Sequence, residues 1–210
     1  MKEYFRPCLF CFVGPAGSGK SSISRQIVTA NPELCSLSIS TTTRAPRRGE
    51  VDGVSYNFVS EDEFAEKVAT GAFIEHARFS SHCYGTERES LKRQLESGRH
   101  VILDIEVEGV KQLKNIFAER LVTVFVMPPS LAELESRLRG RGTEGEEEIE
   151  RRMNIARGEI AILSATGFAD YLLINDSLPQ AIIRGLEIVH AAACRMSELL
   201  PDKRAEIFGA

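Results

Sequence analysis

"CLFCFVGPAGSGKSS", Cys8 to Ser22, is the stretch on which the fold turns. Its first six residues, Cys8 to Val13, are apolar without a break, which suits a strand covered on both faces. Glycines then fall at Gly14, Gly17 and Gly19, and Lys20, Ser21 and Ser22 open a segment with helical apolar spacing. Gly14 to Ser21 fit G-x-x-x-x-G-K-[ST], between a strand and a helix as that motif requires. Chance produces such a string on the order of once per hundred chains of this size. In such a loop (Gly14, Pro15, Ala16, Gly17, Ser18, Gly19), backbone N–H groups converge on phosphate oxygens and the helix N-terminus adds positive potential. Lys20 is placed to reach the outer phosphates and the Ser21 hydroxyl to touch Mg²⁺, with Ser22 beside it. A nucleoside triphosphate is the expected ligand.

Outward from this loop, apolar runs alternate with amphipathic ones. Val101 to Ile105, Leu121 to Met127 and Tyr171 to Asn175 read as further strands apolar on both faces. Helical segments run from Lys20 to Ala30, Val107 to Phe117, Leu131 to Leu138 and Leu178 to Leu200. The alternation predicts an α/β fold: a phosphate-loop NTPase core whose parallel sheet is flanked by helices. Asp104 ends one of the apolar strands, where a carboxylate on the metal side belongs.

Two segments break the alternation. Residues 40–98 hold a polar loop, a short strand "YNFV", a helix opened by the capping box Ser60 and Glu63, a strand near Phe73 to Phe79 and a helix near Arg88 to Ser97. Together they read as a small α+β insertion. "RGRGTEGEEEIERR", Arg139 to Arg152, is dense in charge and glycine and reads as a mobile lid. The expected division of a single domain spanning 1–210 is a core of 1–39, 99–138 and 156–210, the insertion 40–98, and a lid 139–155.

Composition limits the alternatives. In 210 residues, 43% are hydrophobic and 27% charged, and 30 acidic residues outweigh 26 basic ones to give a net charge of −4, which argues against bulk nucleic-acid binding. Any anion site must therefore be a local cluster of positive charge. Five cysteines without repeated spacing fit a reducing cytoplasm better than a disulfide framework, and the lone CxxC of Cys8 and Cys11 reads as core packing. No apolar run is long enough to span a bilayer, and the apolar start is too short, with no cleavage site, for a signal peptide. The four histidines show no metal spacing.

The polar loop "STTTRAPRRGEVDGVSYNFVS", Ser40 to Ser60, is the expected second anion site. Arg44 and Arg47, three apart around Pro46, suit a stiff clamp for a phosphate, and Tyr56 adds a phenolic donor.

This loop resembles the substrate loop of guanylate kinases, whose usual pattern is S-x-T-T-R-x-P-R-x-G-E-x-x-G-x-x-Y-x-F-V. The likeness continues through "FIEHARFSSHCYGT", "ILDIEVEGVK", "MPPSLAELESRLRGRGTEGEEEIERRM" and "LLIND", from Leu9 to Ala193 in order. It implies transfer of a phosphoryl group from ATP to GMP, and to dGMP, giving ADP and GDP with Mg²⁺ as cofactor. The resemblance places Arg44, Arg47, Tyr56 and Tyr84 on the GMP phosphate. It gives Ser40, Glu75 and Thr86 to the guanine, and leaves Glu50 to support the loop. Asp104 and Glu106 border the acceptor, Arg137, Arg141 and Arg152 close over the triphosphate, and Asn175 lies near the adenine. Nucleotides are then the partners, with no nucleic acid or membrane, in a cytoplasmic monomer or homodimer. Glu75 has a chemical reason, because a carboxylate accepts from guanine N1–H and the 2-amino group together, whereas adenine N1 is itself an acceptor.

One departure matters. Where the family usually reads D-I-D-x-Q-G, this chain has Asp104, Ile105, Glu106, Val107, Glu108, Gly109. Glu106 adds a methylene, and Glu108 puts a charge where a neutral amide is usual, which would weaken GMP affinity if it faced the acceptor. Three rivals stand beside the enzyme: a kinase for another phosphorylated acceptor, a non-catalytic guanylate-kinase-like module that binds phosphopeptides, and a regulatory NTP-binding switch that would hydrolyse ATP slowly without any acceptor. The guanine-reading positions speak against the first and the whole phosphate loop against the second.

Overall fold

In the computed structural model, which describes residues 4–79, 81–140, 145–165 and 167–208, the stretch Leu9–Val13 is strand β1, and all five of its residues are buried. The two-residue period of a strand divides them. Phe10 and Phe12, with Cys8, enter one apolar cluster, while Leu9, Cys11 and Val13 enter the other. A strand with two buried faces belongs in the middle of a parallel sheet, and β1 lies there. The order is β2 (Cys35–Leu37), β7 (His100–Asp104), β1, β8 (Leu121–Met127) and β9 (Tyr171–Ile174), with every pair parallel. Burial pushes the Cys8 thiol up to about 12, and Cys11 is buried among the same strands, so this CxxC is core packing.

Helices cover both faces. On one side α1 (Lys20–Ala30) packs against α7 (Leu178–Ala193), with Ile23 and Ile27 meeting Gly185 and Leu173. On the other, α3 (Arg88–Glu96) and α4 (Val107–Phe117) supply Leu91, Val110 and Leu113. A third small cluster joins α5 (Leu131–Gly140) to α6 (Glu146–Leu163). The last element among the described residues is α8 (Pro201–Phe208). Among the described residues no helix is long and apolar enough to cross a membrane.

The residues between β2 and β7 form their own four-stranded sheet. Its order is β4 (Asn57–Phe58), β3 (Thr41–Thr42), β6 (His82–Glu87) and β5 (Phe73–Phe79). Helix α2 (Glu61–Ala69) opens on the expected capping box, with Glu63 N donating to Ser60 Oγ at 3.2 Å and Ser60 N donating to Glu63 Oε2 at 2.8 Å.

Several expectations shift. Helix α7 stops at Ala193 rather than running to Leu200. The polar segment Arg139 to Arg152 is mostly helix, since α5 continues through Gly140 and α6 starts at Glu146; only residues 141–144 lie outside the described part. Three strands were absent from the sequence reading, β3 among them with only two residues. β2 has three residues, too few for a period, and β6, "HCYGTE", is too polar to look like a strand.

Candidate active site

The phosphate loop runs from the end of β1 into α1. Gly14, Gly17 and Gly19 all take positive φ (149°, 95° and 94°), so the chain curls tightly enough to point its N–H groups inward. Helix α1 has no side-chain cap at Gly19, which leaves its first N–H groups for a ligand. Ser18 is buried, and its N–H donates to Pro15 O at 3.0 Å. Asn175, expected beside the adenine, is buried against the loop, where its amide donates to Ser18 O at 2.8 Å.

A cleft of about 210 Å³ opens in front of this loop. Pro15, Ala16, Gly17, Gly19, Lys20, Ser21 and Ser22 form one wall, and Ser40, Arg44, Arg47, Tyr56, Glu75 and Tyr84 form the facing wall. Asp104, Ile105 and Glu106 make the floor, and Arg152 reaches in from α6.

The arginine loop is braced before any ligand arrives. The Arg44 guanidinium donates to Glu50 Oε1 at 2.9 Å and to Ala45 O at 2.7 Å, and it stacks 5.3 Å from the Tyr56 ring and 5.8 Å from Phe58. Arg47 N donates to the other Glu50 oxygen at 2.7 Å. One carboxylate thus holds the Arg44 guanidinium and the backbone at Arg47, and a fork fixed in advance loses less entropy on gripping an anion. Opposed by partial burial, these hydrogen bonds hold Glu50 below the usual carboxylate range.

Glu75 sits deeper, at 3% exposure, on β5. Thr86 Oγ1 donates to Glu75 Oε1 at 2.5 Å across the β5–β6 pair. Thr86 is itself buried, so its contact with the cleft runs through Glu75. Burial raises the Glu75 carboxyl to about 7, against the lowering effect of Thr86 and with the help of Glu106. Ser40, also buried, borders the same cleft.

Acids gather around Lys20. Burial would lower its ammonium pKa, but Glu106, Asp104 and Glu159 together raise it. Glu159, on α6, shares a hydrogen bond with Glu106; burial and that neighbour lift it to about 7. Sequence reading missed Glu159, although it follows Arg152 by seven residues and so shares its helix face. Glu106 fills the floor with the charge the family pattern leads one to expect. Glu108 does not face the acceptor. It is exposed on the outer side of α4 and paired with Lys111 at 2.6 Å, because a helix turns 100° per residue and Val107, Gly109 and Val110 take the buried side.

Ser21 Oγ donates to an oxygen of Asp104, so a hydroxyl and a carboxylate meet at the start of α1. These hard oxygen donors suit Mg²⁺. Among the described residues no cluster of three His, Cys, Asp or Glu side chains could hold a metal, so the remaining coordination positions would fall to phosphate oxygens and water. Of the lid arginines, Arg152 lines the cleft while bonded to Glu148 at 3.1 Å. Arg137 is committed to Glu133 at 2.8 Å and to Asn175 O at 2.9 Å, outside the cleft lining. Arg141 lies outside the described residues.

A phosphate loop facing a second anion cradle across one cleft, on a parallel sheet flanked by helices, defines a P-loop phosphotransferase. Residues 6–192 match the family model described as guanylate kinase. The chain is 44% identical over 191 residues to a guanylate kinase of Syntrophotalea carbinolica, covering 91% of this chain and 89% of that one. It is 43% identical over 180 residues to one of a Nostoc species, covering 86% and 87%. The crystal structure of guanylate kinase from Anaplasma phagocytophilum superposes with a TM-score of 0.77 at 25% identity, covering 98% of this chain and 97% of that one. The chain belongs to the guanylate kinase family.

Proposed function

We infer that the protein transfers the γ-phosphoryl group of ATP to GMP, giving ADP and GDP. The observation that carries this reading is Glu75: a buried carboxylate held by Thr86 opens onto the same cleft as Lys20 and Arg44. Guanine supplies the two adjacent donors such a carboxylate needs. Adenine would leave it unpaired, at a cost of roughly 1–3 kcal/mol. The base and phosphate of dGMP are the same, and it should be accepted on the same contacts.

The acceptor needs no general base, since a phosphate monoester has its second pKa near 6 and its oxygen is already largely ionised. The remaining work is positioning and charge neutralisation. Arg44, Arg47, Tyr56 and Tyr84 hold the GMP phosphate, with Ser40 bordering the base. Lys20 and the loop amides take the β and γ oxygens, and Arg152 adds charge from α6. Ser21 and Asp104 would hold Mg²⁺, which when bound neutralises charge on the β and γ phosphates. The acids around Lys20 keep it a cation throughout. A braced Arg44 and a raised lysine favour the ionised cradle in advance, which is where electrostatic catalysis gains most. Five cysteines without repeated spacing support a reducing, cytoplasmic setting for this chemistry.

Incubation with ATP labelled in the γ-phosphoryl group, Mg²⁺ and GMP tests this reading. Label should appear in GDP. Label released only as inorganic phosphate would overturn it.

A further inference from the structure

Strand β5 is the outer strand of the insertion's sheet, so β6 satisfies only one of its edges. On the other edge lies α4, a helix of the core. Gln112 Nε2 donates to His76 O at 2.8 Å, and His76 N donates to Gln112 Oε1 at 3.1 Å. This side-chain amide replaces the two bonds of a missing strand, at the residue next to Glu75. One turn earlier on the same helix, Gly109 is buried. A Cβ built there would lie 3.0 Å from the Glu75 carboxyl carbon and well inside contact with its Oε2. Between Phe73 and Glu75 the β5–β6 register slips by one residue. Such a bulge re-aims the side chain that follows it.

We propose that Gly109 and Gln112 are specificity-determining positioning residues, which dock the Glu75 carboxylate on α4 and aim it at the guanine edge. Helix α4 follows directly on Asp104 and Glu106, so the two contacts tie the base-reading group to the same element that follows the cleft floor. One oxygen of Glu75 is held by Thr86 and the other lies against a glycine that leaves room for nothing larger. Alanine at 109 has no penalty of its own in a helix and would be a better former than glycine. Its effect should fall on where Glu75 points. The inference rests on the reading that Glu75 contacts guanine.

The test compares kcat/KM for GMP with that for IMP, which keeps N1–H and lacks the 2-amino group. Gly109→Ala and Gln112→Leu should each raise KM for GMP roughly ten- to hundredfold, the scale of a mispaired buried polar group. KM for ATP and kcat at saturating GMP should move less than about threefold, and the GMP:IMP preference should fall toward that of Glu75→Ala. In a Glu75→Ala background, Gly109→Ala should add no further loss. A merely structural role would lower kcat or thermal stability and leave the preference unchanged, which would overturn the proposal. If Glu75→Ala abolishes the preference while both α4 variants keep it, positioning by α4 is wrong and the reading of Glu75 stands. If Glu75→Ala itself keeps the preference, the reading of Glu75 is wrong and the proposal falls with it.

Discussion

Glu108 and Glu75 are both glutamates at family motif positions, and their surroundings give them opposite importance. Glu108 points to solvent and pairs with Lys111, an exposed contact of small energetic weight. Glu108→Gln should therefore leave KM for GMP within about twofold, whereas a several-fold gain in affinity would mean that its charge reaches the acceptor. Glu75 is buried, and its carboxyl is raised from 4.5 to about 7. The folded chain holds this proton to higher pH than the unfolded chain, so the group takes away stability as pH rises from about 4.5 to about 7. Guanine binding needs the ionised form. GMP affinity should thus rise roughly tenfold between about pH 6 and pH 8, with proton release on binding. The second ionisation of GMP itself falls in the same range, and Glu75→Gln isolates it. An identical pH profile in that variant would remove Glu75 from the linkage. The sequence placed Glu75 only through family resemblance, because a lone acid in a strand carries no signal until the fold shows what buries it. Gly109 entered only as the closing glycine of the D-I-D-x-Q-G motif, without a role, and Gln112 not at all, since their function depends on a strand some thirty residues away.

At the scale of the element, local rules were legible wherever apolar spacing or a cap was strong. Helix α1 runs from Lys20 to Ala30 and α4 from Val107 to Phe117, the bounds that their spacing predicts. The Ser60–Glu63 box starts α2 as expected. Ser60→Ala should lower unfolding stability by about 1 kcal/mol, or a melting temperature by roughly 2–4 °C, with KM for GMP unchanged; an unchanged melting temperature would show that α2 does not depend on its cap. Helix α6 escaped notice because its first turn, Glu146 to Glu148, reads as a solvated charge run. Its apolar stripe, Ile149, Met153, Ala156 and Leu163, is buried against α5 and the core. The same helix brings Arg152 and Glu159 to the cleft, so missing the helix meant missing the acid. Strands β2 and β6 were lost for the opposite reason, too short or too polar to repeat. Arg137 matches its motif position but is turned toward Glu133 and Asn175.

For the molecule as a whole, four of the five parallel strands were legible as apolar runs, whereas β2 and the order β2-β7-β1-β8-β9 are seen only in the structure. Pairing across the insertion was not legible either, because two-residue strands such as β3 and β4 gain their register from partners distant in sequence. The result is a division of labour. The core supplies the phosphate loop, Asp104 and Glu106, the insertion supplies Arg44, Arg47, Tyr56, Glu75 and Tyr84, and all of them border one cleft. The selectivity of that cleft is its most exposed claim, and one measurement addresses it directly: ADP formation from ATP and Mg²⁺ with GMP, dGMP, AMP, CMP, dTMP and ribose phosphates offered separately. Turnover confined to GMP and dGMP is the expected result. Comparable turnover with AMP or a ribose phosphate, or none with any acceptor despite tight GMP binding, would contradict it.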